Sequence, residues 1–315
     1  MLRSLTSAGA MRFLSKSRLI AFRQCPKRLW LEIHRPELRE DSASTLASFQ
    51  VGHKVGDVAQ RIYDPKGKGV VINAQTEGYE AAFTRSSKLL AEAQQPIFEA
   101  GFKADGALAF ADVMLPATEG GRRVWRMVEV KSSTSVKDYH RDDAAVQAFI
   151  AQAAGVRLKS VAVACIDTAF VYSGGDDYCG LLAETDLTEE AFGRTDEVKN
   201  WIAEAQRVVA QTAAPSIAVG DHCHDPFACG FCNYCNQGQP RPKYPLNWLP
   251  RFPGAKRVQL VTEGVDDMRG VPDKLLNEIQ LRVKRHTLTS TRPCSILGKM
   301  RAKSPQRLRT TSLLA

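Results

Sequence analysis

Two groups of residues in this sequence have the types and spacing to do chemistry. The first is a run of cysteines: Cys223, Cys229, Cys232 and Cys235 fall within thirteen residues. Thiolates this close repel one another, and coordination to a metal centre removes that cost. Structural zinc usually takes two separated pairs of ligands. Here the spacing is one run, Cys-x5-Cys-x2-Cys-x2-Cys, closer to the compact loops that wrap an iron–sulfur cluster. His222 and His224 keep zinc open as the alternative. Of the other cysteines, Cys165 lies in an apolar run and reads as a buried small hydrophobe. Cys179 sits in a Gly/Asp loop and carries no signal.

The second group is acidic. Glu129 and Lys131 flank Val130 at the end of an apolar, strand-like run, and residues two apart on a strand share a face. The preceding strand-like run carries Asp112 among apolar neighbours. A hairpin between the two runs brings Asp112 beside Glu129 at the sheet's end. Two carboxylates converging there suit a hard cation such as Mg²⁺ or Mn²⁺. A neighbouring lysine can orient or help deprotonate water, or offset developing negative charge. That combination suits cutting a phosphodiester. The tripeptide alone is weak, since Glu197, Val198 and Lys199 repeat it in a charged helical stretch, where it reads as a solvated face. An edge strand with a surface ion pair is the bland alternative for the first copy.

The elements that must position these groups follow from periodicity. Ser15 to His34 carries apolar residues at helical spacing, interrupted at Cys25 and Pro26, with Ser15 and Ser17 as candidate caps. Helices are predicted over 44–63, 76–94, 142–154 and 188–210, and a small helical appendage over 265–283. Strands are predicted at 70–72, 96–102, 106–115, 123–131 and 160–166, with a further candidate at 169–172. The order describes a mixed α/β domain with a small central sheet.

Composition excludes several classes. The chain is 44 % hydrophobic and 24 % charged, ordinary for globular protein and unlike disordered or fibrous chains. Apolar runs such as 161–166 are far shorter than the roughly 18 to 20 residues that span a bilayer. The first ten residues lack the apolar stretch of a signal peptide, so a cytoplasmic protein with reduced thiols is expected. Met11 is a candidate true start. The net charge of +9 is misleading: nine basic residues and no acid lie from Arg282 onward, and residues 1–281 hold 34 of each sign. Nucleic-acid binding therefore does not follow from net charge.

Together these residues resemble the PD-(D/E)XK nuclease superfamily. The likeness is to the RecB-like, iron–sulfur exonuclease branch that includes CRISPR adaptation nucleases and helicase-nucleases. Asp112, Glu129, Val130 and Lys131 match the Asp…Glu-x-Lys motif. The stretch from Asp142 to Gln147 matches the family's following helix, and Ser15 to Leu31 its opening helix. The resemblance implies a restriction-endonuclease-like α/β core: a small mixed central sheet flanked by helices, with a C-terminal cysteine loop. It implies Asp112, Glu129, Lys131 and Gln147 as catalytic residues, with Asp112, Glu129 and Val130 holding Mg²⁺ or Mn²⁺. It further implies a [4Fe–4S] cluster on Cys25, Cys223, Cys229 and Cys235, with Cys232 as substitute, joining the domain's two ends.

The expected activity is a metal-dependent DNA nuclease, an exonuclease or one preferring single strands, whose partner is single-stranded DNA or DNA ends. A catalytically inactive iron–sulfur or zinc nucleic-acid-binding module on a decayed nuclease fold is the alternative. The likeness is nearest to a bacterial family in which such a module precedes an RNase H-like exonuclease module. The expected division is a nuclease domain over 12–240, a helical appendage over 241–286 and a basic tail over 287–315. That tail reads as disordered, from a truncated or frame-shifted end, or as a phosphate-binding arm. One departure stands out: the family's metal-binding histidine position falls on Gly56, and His53 reads as a surface residue.

Overall fold

The computed structural model describes residues 12–237 and 242–289. Two tight turns build the centre of the fold. Asp105 and Gly106 (φ 48° and 76°) join β3 (Ile97–Ala104) to β4 (Ala107–Glu119). Gly120 and Gly121 (φ 54° and 73°) join β4 to β5 (Arg122–Lys131). Two successive positive φ values favour Asp-Gly and Gly-Gly, and the resulting twist matches that of the flanking strands. The three strands form an antiparallel meander.

Around this meander the sheet is mixed. β1 (Leu14–Ser15) runs parallel to β4, and β2 (Val70–Val71) parallel to β3. β5 continues through α6 (Asp138–Ala153) to the parallel strand β6 (Leu158–Ile166), a βαβ unit. β7 (Leu182–Asp186) closes the far edge antiparallel to β6. The path is β2-β3-β4-β5-β6-β7, with β1 on β4. The fold is thus the expected α/β arrangement, with seven strands rather than a small sheet.

The helices before the meander are α1 (Lys16–Gln24), α2 (Pro26–His34), α3 (Ala43–Tyr63), α4 (Ala74–Glu77) and α5 (Tyr79–Glu92). After β7 come α7 (Thr188–Gly193), α8 (Thr195–Val209) and α9 (Cys232–Cys235). Ser15 caps α1, its hydroxyl accepting the Arg18 N–H at 3.4 Å. Cys25 is the extended residue between α1 and α2, with Pro26 opening α2. A proline at the first helical position suits a turn whose N–H has no partner.

Three predicted elements differ. The helix expected over 76–94 breaks at Gly78, whose φ of 84° no helix accepts. The helix expected over 188–210 breaks at Arg194 into α7 and α8. No strand forms at 169–172, where the Asp167 carboxylate accepts the Ala169 N–H at 2.8 Å and commits the backbone to a local turn. β7 had no apolar alternation to announce it, being exposed along most of its length.

One sheet face packs against α6 through Ala111, Met127, Val161 and Val163; the other holds Phe98, Val113, Val128 and Ala164, with Tyr63 of α3 against them. α6 buries residues on all sides, and its alanines at 144, 145, 148 and 151 let it lie close to the sheet. Among the described residues no helix is long and apolar enough to cross a membrane.

The chain divides into two units, Met1–Gln237 and Gly238–Ala315. The second has its own core of Leu246, Leu249, Phe252, Leu260, Met268 and Val271. Its helices are α10 (Gly254–Thr262) and α11 (Glu278–Thr289), in place of the single helical stretch predicted over 265–283. Most of the expected basic tail, from 290 onward, lies outside the described residues.

Candidate active site and cysteine cleft

The β4–β5 ladder ends at Val113 paired with Val128. The next residues in that register are Asp112 and Glu129, which therefore face each other where the strands part. The β3–β4 ladder pairs Phe98 with Val113 and Ala100 with Ala111, which leaves Glu99 opposite Asp112. Glu99 has φ 56°, unusual for a residue with a side chain. Core alternation slips at both positions, since Ile97 and Ala100 share one face, as do Ala111 and Met114. The result is a row of three carboxylates, Glu99, Asp112 and Glu129, across three adjacent strands.

Hydrogen bonds fix two members of the row, Asp112 and Glu129. Asp112 Oδ2 accepts the Val130 N–H at 2.7 Å, taking the place of the missing ladder bond. Glu129 is 2 % exposed. Its Oε1 accepts from Lys131 Nζ at 2.6 Å and from Lys16 Nζ at 2.7 Å, and its Oε2 accepts from Gln147 Nε2. Lys131 also donates to Asp143 Oδ2, from which Lys16 Nζ lies 3.3 Å. Asp143 and Gln147 stand four residues apart on α6, so one helix face delivers both. Gln147 is fully buried, and its Oε1 has no partner among the described residues. A buried carbonyl oxygen left unmatched is costly and marks a place where a donor from outside is welcome.

The electrostatics follow from burial and these contacts. Burial, and then the Glu129 charge, push the Asp112 carboxyl well above the usual range. Burial opposes ionisation of Glu129 too, yet the Lys131 and Lys16 ammoniums outweigh it and hold this carboxyl far below its usual range. Burial works against both lysine charges, and Asp143 and Glu129 overcome it, so both pKa values rise. Desolvation and the Glu129 charge raise Glu99, while Lys16 and His53 oppose the rise. His53 is exposed on α3.

All four catalytic candidates from the sequence, Asp112, Glu129, Lys131 and Gln147, thus meet in one place, with Val130 between them. Three further members were missed. Asp143 was legible in principle, one turn before Gln147 on the same helix. Glu99 shows itself only through strand register. Lys16 carries no sequence signal at all. It arrives because Leu14 and Ser15 pair with Ala107 and Leu108 of β4, more than ninety residues away.

The cysteines gather separately. Cys25, Cys223, Cys229, Cys232 and Cys235 line one cleft, with Lys27, Arg28 and His222. Gln24 Nε2 ties the helical end of this cleft to the loop, donating to the His222 and Phe227 carbonyls at 2.7 Å each. Burial raises the thiol pKa of Cys229, Cys232 and Cys235; Cys223 adds to the rise in all three. His224 is exposed and does not line the cleft. Cys165 is buried in β6 and Cys179 is exposed in a loop, both away from it.

Both donor sets suit the groups expected of them. Converging thiols favour a thiophilic centre, and paired carboxylates beside an unmatched amide oxygen favour a hard cation. Among the described residues, no three cysteine, histidine or carboxylate side chains already stand as a coordination shell.

No family model matches the chain, and no curated protein matches it. Two solved structures show weak similarity. One is SSO0001, at 14 % identity and a TM-score of 0.33, over 68 % of this chain and 83 % of that one. The other is an alkaline exonuclease, LHK-Exo, from Laribacter hongkongensis. It matches at 14 % identity and a TM-score of 0.28, over 64 % of this chain and 92 % of that one.

Proposed function

We propose that the first unit is a metal-dependent DNA nuclease of the RecB-like PD-(D/E)XK type, with the cysteine cleft holding a [4Fe–4S] cluster. The observation that carries this reading is the meeting of Asp112 and Glu129 where their ladder ends, with the Lys131 ammonium on Glu129. Asp112, Glu129 and the Val130 carbonyl are the residues that hold Mg²⁺ or Mn²⁺. A divalent cation bound there supplies Lewis-acid polarisation of the phosphoryl oxygen. Lys131 holds a proton firmly between two carboxylates. It is suited to stabilising negative charge that develops on the phosphate, or to orienting a water for attack. Gln147 fixes Glu129 through its N–H and offers its free carbonyl to a water or sugar hydroxyl. Cys25, Cys223, Cys229 and Cys235, with Cys232 in reserve, hold the cluster as a staple between the opening helices and the end of the domain. DNA ends or single strands are the substrate class.

Two measurements on anaerobically purified protein test this. Cleavage of single-stranded DNA that requires Mg²⁺ or Mn²⁺ and disappears in Asp112→Asn supports the nuclease. Protein that binds DNA and never cuts it identifies a binding module on a decayed fold instead. Iron with acid-labile sulfide supports the cluster, and stoichiometric zinc alone overturns it.

A further inference from the structure

A second lysine reaches the proposed site. Lys131 already pairs with Glu129 and Asp143, yet Lys16 contacts the same Glu129 Oε1 at 2.7 Å and approaches the same Asp143 Oδ2 at 3.3 Å. Lys16 is also the first residue of α1, where the helix dipole disfavours a cation and no acidic residue shares the turn. Its position is therefore maintained by the two carboxylates. Two ammoniums on Glu129 and Asp143 supply the charge compensation that a divalent ion would supply.

The two lysines are not equivalent. Lys131 rises from the same strand as Glu129 and contacts both carboxylates closely. Lys16 comes from a different element, and its second contact is the longer one. With both lysines on Oε1, that oxygen is fully engaged, while Oε2 carries only the Gln147 N–H. A cation gains Oε1 only if one ammonium leaves, and of the two Lys16 is held less.

Resting on the nuclease reading above, we infer that Lys16 is a resident counter-ion that competes with the divalent cation for Glu129. It stabilises the carboxylates in the metal-free protein and is released from them when the cation binds. Lys16 is thus a positioning residue that sets how much cation the site requires. Coupling of this kind is reciprocal: whatever weakens the lysine's hold strengthens the cation's.

The test is a calorimetric titration of Mn²⁺ into the full chain without DNA, for wild type, Lys16→Met and Lys16→Arg. The expected result is affinity roughly tenfold higher in Lys16→Met, at the lower end of typical coupling, and near wild type in Lys16→Arg. Equal or weaker binding by a folded Lys16→Met overturns the inference. A measurement on wild type guards against misfolding of the variant: reductive methylation of lysines, read by mass spectrometry with and without Mn²⁺. Lys16 should gain reactivity several-fold when Mn²⁺ is present, relative to exposed Lys199 as the internal reference; an unchanged ratio overturns the inference. If wild type binds and cuts but Lys16 behaves as a bystander, only this inference fails. If wild type binds no cation, the nuclease reading fails with it.

Discussion

The tripeptide Glu-Val-Lys occurs twice, at 129–131 on β5 and at 197–199 on α8, and the two copies share only their order. On the strand, the outer residues face the same way. Glu129 is buried there, and Lys131 bonds to it at 2.6 Å. On the helix, two residues turn through about 200°, and the same side chains diverge. Glu197 accepts from Arg194 at 2.6 Å, and Lys199 lies 3.6 Å from Asp196, both pairs near solvent. Only Val198 is buried. Secondary structure and burial, rather than residue identity, thus decide which copy can hold a reactive arrangement.

The largest contrast is in stability. Glu129→Gln leaves two ammoniums with Asp143 as their main acceptor and should cost about 3–5 kcal/mol in urea unfolding, the usual result of breaking a buried pair. Glu197→Gln should cost under about 1 kcal/mol. Similar losses for the two would remove the distinction.

Next comes cation-dependent cleavage. Asp112→Asn should lower the initial rate on single-stranded DNA by on the order of 10²–10³-fold, the scale on which preorganised electrostatic groups act. Glu197→Gln should cut as wild type does.

A smaller effect is expected at the cysteine cleft. Cys223→Ser should lose bound iron and destabilise the first unit by about 1–3 kcal/mol. Cys179→Ser should leave iron content and melting temperature unchanged. Equal iron in both variants would exclude Cys223 as a ligand.

The smallest is a pH effect at His140. Burial, with Lys131 and Lys137, lowers this imidazole to about 4. Its Nδ1 lies 3.2 Å from the Lys137 N–H, which it accepts as a neutral ring. The unfolded chain takes up the proton first, so stability should fall as pH drops from about 6.5 toward 4. In His140→Gln that part of the decline should vanish from the melting profile. α8 carries no histidine, so the helical copy has no counterpart to this effect.

Much of this architecture was legible from periodicity. The meander, α6 and the split opening helix follow from apolar spacing, Asp-Gly and Gly-Gly turns, and Pro26. The candidate site was legible where its members are local: Glu129 and Lys131 by strand alternation, Gln147 through the resemblance of its helix to one in RecB-like nucleases. Lys16 and Glu99 were not, because pairing between distant strands positions them and no local pattern encodes it. β7 escaped for a different reason, being an exposed polar edge without alternation. Gly78 and Arg194 broke helices that the apolar pattern alone carried through.

The central claim is that the strand copy of Glu-Val-Lys is the reactive one. Cleavage of single-stranded DNA with Mg²⁺ or Mn²⁺, compared among wild type, Lys131→Ala and Lys199→Ala, tests it most directly. The account predicts a loss of roughly 10²–10³-fold for Lys131→Ala, the scale for a preorganised group that stabilises developing charge, and wild-type rates for Lys199→Ala. Cleavage by Lys131→Ala at the wild-type rate would contradict it.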